Sequence, residues 1–352
     1  MSEFQLSLLG IGVVVVIAVF GYGYWQQWSY RRSLGRAPDD QGVKANTNML
    51  RVENSNTSIN DPFDANGTHH FIDEPAQDSF IQPDDKTDYI VSMTFKFPHN
   101  AQVLDGFWQR RFDYGKTVLA CGCNTASGNW ERLIPESPST YREIKVAVQL
   151  VDRNGAISDT RLSDFRELLG DIGRKLDADI VLPVADLAVE RARELDTFCA
   201  SVDQMIGINI FPDSQHGIFG SEVARAMLHV GMSLQADGTY HLFDDAGATL
   251  FTLSASDGKP FQHHTLDQLR VASLTLLLDI PRVTEPVARF DEMILLAREV
   301  ATTLRATLVD DQRVTLGDAS LAQIRAQVES VEARMLAGGL TPGGGQALRL
   351  FN

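Results

Sequence analysis

The chain has 352 residues, 44% hydrophobic and 22% charged, a globular balance with room for two modest domains and appendages; wholesale disorder, collagen and a disulfide miniprotein are excluded. Its 31 Lys+Arg against 46 Asp+Glu give a formal charge of -15, the opposite of a basic nucleic-acid footprint, so no nucleic-acid partner is expected. Three cysteines (Cys121, Cys123, Cys199) are too few for a disulfide framework, and their odd number fits a reducing compartment. Cys121-Gly122-Cys123 lacks the second Cys/His pair that zinc requires, so no metal is expected.

From Phe4 to Trp25 no charge interrupts about the twenty residues a helix needs to cross hydrocarbon. Tyr22, Tyr24, Trp25, Trp28 and Tyr30 gather at the far end, and Arg31, Arg32 and Arg36 follow. The positive-inside bias makes residues 1–30 a single-pass transmembrane anchor with the bulk of the chain cytoplasmic. A cleaved signal peptide is the alternative, but a basic leading region and a small-residue cleavage site ahead of the arginines are both missing. Residues 31–87 turn to Asn, Asp, Ser, Gln and Pro, with almost only acidic charges past Arg51, and read as an acidic disordered linker repelled by an anionic leaflet.

The rest repeats an order of events at an offset of about 128 residues. Val146, Val148 and Leu150 alternate as Leu274, Leu276 and Leu278 do, each set predicting a strand with one buried face. Phe165, Leu168, Ile172 and Leu176 then recur at helical spacing, as do Met293, Leu296, Val300 and Leu304. Short apolar runs, Asp179–Leu182 and Thr307–Asp310, precede a last helix in each unit. Both units open on a strand ending in Phe-Pro, at Phe97-Pro98 and Phe211-Pro212. The predicted class is α+β: two tandem split βαβ, ferredoxin-like units with antiparallel sheets, over 88–200 and 201–336, with a flexible tail over 337–352.

No enzyme is expected. There is no Walker loop, dinucleotide fingerprint, Gly-x-Ser-x-Gly elbow or His-Glu-x-x-His helix, and Thr341-Pro342-Gly343-Gly344-Gly345 lacks the Lys-Ser/Thr of a phosphate cradle. His263-His264 and Asp310-Asp311-Gln312-Arg313 read as loop and turn residues. No cofactor is expected.

QMIGINIFP, the helix ending at Gly231, Tyr240-His241, Phe251-Thr252-Leu253-Ser254, LTLLLDIP and, most specifically, Thr307-Leu308-Val309-Asp310-Asp311-Gln312-Arg313 follow one another in an order that resembles the C-terminal domain of the ZipA family, membrane anchors of the tubulin-like division GTPase FtsZ. The resemblance covers about 203–336 in sequence and the N-terminal anchor in layout; the first unit reads as a degenerate duplicate. It implies a single-pass inner-membrane protein of the bacterial division site, N-terminus periplasmic, that tethers FtsZ polymers of the Z ring. In that family the open sheet face binds the FtsZ C-terminal peptide.

Alternation turns Met205, Gly207, Asn209, Phe211, Thr239, His241, Phe243, Leu250, Thr252, Ser254, Ser256, Thr275 and Leu277 outward. The contacts carried over by position are Met205, Gly207, Thr239, Ser254, Ser256, Thr275 and Leu277. Several are Thr or Ser where the family presents Met, Ile or Phe, which makes this face more polar. The alternative is a membrane-tethered regulatory module holding a small ligand between its paired units. The oligomeric state stays open.

Overall fold

The computed structural model of the protein describes residues 82–213 and 216–352, all within one compact unit, Glu74–Asn352. The expected anchor and nearly all of the expected linker lie outside the described residues. Among those described, no helix is long and apolar enough to cross a membrane. The linker stops earlier than the sequence suggests: the Asp84 amide donates to the Asp88 carboxylate at 2.9 Å, and Thr87 is buried.

In the first lobe β1 (Asp88–His99) buries Tyr89, Val91, Met93 and Phe95 and exposes Thr94 and Lys96, so one strand face is apolar. A short helix α1 (Asp105–Arg110) precedes β2 (Val118–Asn124), β3 (Trp130–Arg132) and β4 (Tyr141–Gln149). A small hairpin, β5 (Val151–Asp152) with β6 (Gly155–Ala156), leads into α2 (Asp159–Lys175). Ser158 caps that helix, its side chain accepting from the Arg161 amide. β7 (Asp179–Val181) and α3 (Ala185–Val202) complete the lobe.

The second lobe runs β8 (Met205–Pro212), β9 (Ile218–Phe219), α4 (Gly220–His229), β10 (Ser233–Leu234), β11 (Tyr240–Phe243) and β12 (Thr249–Ala255). It continues through β13 (Arg270–Val271), β14 (Leu274–Asp279), α5 (Pro286–Leu304), β15 (Ala306–Val309) and α6 (Asp318–Ala337) to α7 (Gly345–Leu350).

The sheets are antiparallel, ordered β3-β2-β4-β1-β7 and β10-β11-β12-β14-β8-β15. In both lobes the strand after the second long crossover returns beside the first strand, β7 beside β1 and β15 beside β8. Both contain the four-strand order of a split βαβ unit, β2-β4-β1-β7 and β12-β14-β8-β15, with one further strand at the far edge of the first sheet and two at that of the second, in keeping with the α+β expectation.

Ile206, Ile208 and Ile210 on β8 and Leu274, Leu276 and Leu278 on β14 are buried in the same core as Phe290, Met293, Ala297 and Val300 of α5. Slipping β14 by one residue would expose three leucines at about 1.5–3 kcal/mol each, so burial fixes its register. The opposite face of this sheet is thereby assigned as well.

Residues 337–352 are not a flexible tail. Leu340, Ala347, Leu350 and Phe351 are all buried. The Gly343 amide donates to the Pro281 carbonyl at 2.9 Å, and at φ +68 a Cβ there would come 2.5 Å from the Thr284 nitrogen, so glycine permits the close approach. The segment bridges the lobes: Arg349 reaches the Asp88 carboxylate, the Gln149 side-chain amide donates to the Arg349 carbonyl at 3.0 Å, and Arg282 donates to the Phe351 carbonyl at 3.3 Å.

Arg153, in the β5–β6 turn, joins the lobes a second time by donating to Asp203 and to Asp279 at the end of β14, each at 2.7 Å. Burial pushes the Asp279 carboxyl up, against the pull of Arg153.

Candidate functional site: the open face of the second sheet

The face of the second sheet turned away from α5 is crossed by rows that the register defines. Gly207 lies opposite Leu277, Leu277 opposite Thr252, and Thr252 opposite His241. The next row runs Asn209, Thr275, Ser254, and Met205 pairs with Asp279. Thr239, one position before β11, extends the row of Ser254 because Tyr240 pairs with Leu253. Ser256, just past β12, sits with its hydroxyl 3.0 Å from that of Thr275. All seven predicted residues thus share one face. Met205, Phe211 and Leu277 are half-buried and Gly207 is exposed, so the first lobe does not cover it.

Leu250 departs from the alternation and is buried at 6% exposure. The β11–β12 register shifts between Leu242–Phe251 and Phe243–Thr249, leaving Leu250 as the extra residue of a bulge.

The face has two characters. Met205, Leu277 and the notch at Gly207 form an apolar half; a Cβ at Gly207 would meet Thr275 Cγ2 at 3.7 Å, ordinary contact distance. The other half is a hydrogen-bonded chain. The Thr275 hydroxyl donates to Asn209 Oδ1 at 2.7 Å, and Asn209 Nδ2 donates to Asp311 Oδ1 at 3.0 Å. Since Thr275 spends its proton on Asn209, Ser256 is the donor to Thr275, and the chain runs in one direction to a carboxylate.

Asn209 and Asp311 organise this half, and the carried-over contacts omit both. Alternation alone would have found Asn209.

At the β11 end the His241 ring stacks on Phe243, with centroids 5.6 Å apart, and its Nε2 lies 3.0 Å from Asp237 Oδ2. Burial pulls the Asp237 carboxyl upward, but hydrogen bonds from the Thr239 amide and hydroxyl and from His241 outweigh it and hold that carboxyl below its usual range. At the β15 end the Arg313 guanidinium lies 4.9 Å above the Phe211 ring.

A cleft of about 750 Å³ opens elsewhere, lined by Trp108, Phe112, Lys116, Arg132 and Ile134 among others. It belongs to the first lobe, not to the space between the sheets where the ligand-sensing alternative places its ligand. Among the described residues no group of three or more His, Cys, Asp or Glu could hold a metal ion. Burial pushes the Cys121 and Cys199 thiols up to about 11 and about 12, so neither is a thiolate near neutrality.

Residues 204–327, spanning β8 through the first half of α6, match the family model described as ZipA, C-terminal FtsZ-binding domain. The second lobe is a ZipA-family domain. The chain is 25% identical over 142 residues to the cell division protein ZipA of Stutzerimonas stutzeri (strain A1501), covering 39% of this chain and 52% of that protein. It is 26% identical over 142 residues to ZipA of Pseudomonas aeruginosa (strain LESB58), covering 39% and 49%. With ZipA of Ectopseudomonas mendocina (strain ymp) the identity is 24% over 177 residues, covering 47% and 64%. The chain spans about half the length of the curated relatives it matches. The ZipA match leaves the first lobe outside, although both lobes share the order of their four core strands.

Proposed function

We propose that this protein is a cell-division component whose ZipA-type lobe binds the C-terminal peptide of FtsZ on the open sheet face. In this reading it holds FtsZ polymers of the Z ring at the cytoplasmic side of the inner membrane, with residues 1–30 as the single-pass anchor and the N-terminus periplasmic. The observation that carries the peptide-binding reading is the uncovered half-apolar face, with Gly207 as a notch beside Leu277 and Met205, inside the span that matches the ZipA model. Leu277, Met205 and Gly207 take the peptide's apolar side chains; Thr275, Ser254, Ser256 and Thr239 border them with hydroxyls.

No bond is made or broken, so the role needs no catalytic group. The hydroxyl border limits the apolar area per site, so single contacts are weak, and many anchored copies facing one polymer compensate through effective concentration.

The test is titration of residues 74–352, the compact unit, with a labelled FtsZ C-terminal peptide, alongside Leu277→Asp. Saturable binding to the parent, weakened at least about tenfold in a variant of unchanged thermal midpoint, is expected. No binding at high micromolar peptide by a folded parent would defeat the reading.

A further inference from the structure

Counted from the end at which β1 and β8 begin, the open faces of the two sheets compare row by row. On the second sheet the first row is Met205 with Asp279 and the next is Gly207 with Leu277, the apolar half assigned to the FtsZ peptide. On the first sheet the first row is Asp88 with Gln149 and the next is Ile90 with Ala147. Tyr89, Val91, Val146 and Val148 are buried in the core with Phe165, so alternation turns Asp88, Ile90, Ala147 and Gln149 to the opposite face. Here the lobes part. Gly207 is exposed, whereas Asp88, Gln149 and Ala147 are buried, and α7 of the same chain lies on the Asp88–Gln149 row.

The contact is built as a peptide is recognised. Arg349 donates to the Asp88 carboxylate through both Nη1 and Nη2, a fork onto two oxygens, and the Gln149 side-chain amide reads the Arg349 main-chain carbonyl at 3.0 Å. One turn earlier, Gln346 reaches the Asp84 carboxylate. The Asp88 side chain is fully buried and that of Arg349 is 11% exposed, so the seat demands a cation of guanidinium shape, which the point charge of a lysine does not match. For a permanent part of the core the fit is imperfect: Arg349 Nε and Gln149 Oε1 are buried with no hydrogen-bond partner among the described residues, a penalty lifted when the helix leaves.

We propose that the open face of the first sheet is a second peptide-docking site, which this chain keeps filled with its own residues 341–352, and that the Asp88 carboxylate makes it selective for a peptide presenting an arginine. The FtsZ-peptide reading concerns the second lobe alone, so the two stand or fall separately. Because the resident segment is tethered, it meets its seat at an effective concentration of about millimolar, and a free peptide competes poorly in the unaltered chain.

The test uses the full chain in a non-ionic detergent, with Arg349→Met and Phe351→Asp combined to unseat the resident segment. A labelled synthetic peptide of residues 341–352 is titrated in and followed by fluorescence anisotropy. Saturable binding at about 100 µM or tighter is expected for this variant, and binding at least about tenfold weaker for the unaltered chain. A peptide carrying Arg349→Met is expected to bind the variant at least about tenfold more weakly than the unaltered peptide. With Asp88→Asn added to the chain, the two peptides are expected to bind within about twofold of each other, which assigns the selection to that carboxylate. Circular dichroism checks each fold, and Arg349→Met alone replaces the combined variant if that does not fold. Three results overturn the proposal: no saturable binding to a folded variant, so that the segment is no separable ligand; equal binding to variant and unaltered chain, which places the peptide elsewhere; and an Arg349→Met peptide that binds as well as the unaltered one.

Discussion

Arg349 donates to the carboxylate of Asp88 at 3.1 Å, joining α7 to the first residue of β1 across 261 positions, and Asp88 is fully buried. Removing the guanidinium leaves that carboxylate without its counter-charge. Arg349→Met is expected to cost about 3–5 kcal/mol in urea unfolding, and adding Asp88→Asn to recover part of it. A fragment ending at residue 336 is expected to show a loss at least as large. If Arg349→Met unfolds at the parent's urea midpoint, the strap contributes nothing to stability.

Gly207 offers a second handle because a side chain there meets no atom closer than ordinary contact. Gly207→Val is expected to leave the thermal midpoint within a few degrees of the parent while filling the notch beside Leu277. FtsZ-peptide affinity is expected to fall about tenfold or more by fluorescence anisotropy.

Thr275→Val probes the polar half of the face. The substitution cuts the chain from Ser256 to Asn209 and adds apolar surface beside Leu277. With about 0.8 kcal/mol per added methyl-sized group, peptide binding is expected to tighten up to about fourfold. Weaker binding would mean that the peptide itself hydrogen-bonds to the Thr275 hydroxyl.

Asp237 yields a pH prediction. Its carboxyl is held below the ordinary 3.8, so its stabilising contribution is complete above that value and is lost as pH falls through the lowered one. The thermal midpoint of Asp237→Asn is expected to lie below the parent's by a constant gap above about pH 5, and the gap to close on acidification below 3.8. A gap that widens in acid would reverse the assignment.

Elements whose period matches their burial were legible in the sequence. Leu274, Leu276 and Leu278 announced β14 and, by default, its open face; the helices after β4 and β14 followed from their 3.6-residue spacing. The misses have physical causes. Leu250 is an inserted residue, and alternation counts positions without sensing a bulge. The last segment carries Pro342 and five glycines, a linker's composition, yet Gly343 is there for close packing on Thr284. Asn209 was visible as an outward residue, but its link to Asp311 spans 102 positions and no local pattern encodes that.

The C-terminal part of the β15 edge is sealed by its own chain, the Asp310 amide donating to the Val314 carbonyl and the Leu316 amide to the Leu308 carbonyl, each at 2.9 Å, and this bears on how a partner is told from its competitors. A peptide arriving at the second lobe finds the C-terminal part of that edge already bonded, and at the opposite edge β10 is two residues long. Recognition there is left to side chains lying across the strands, and a backbone ladder would accept almost any extended sequence. A peptide of the same composition in scrambled order therefore loses its hold, and single-residue changes in the peptide register as changes in affinity, position by position.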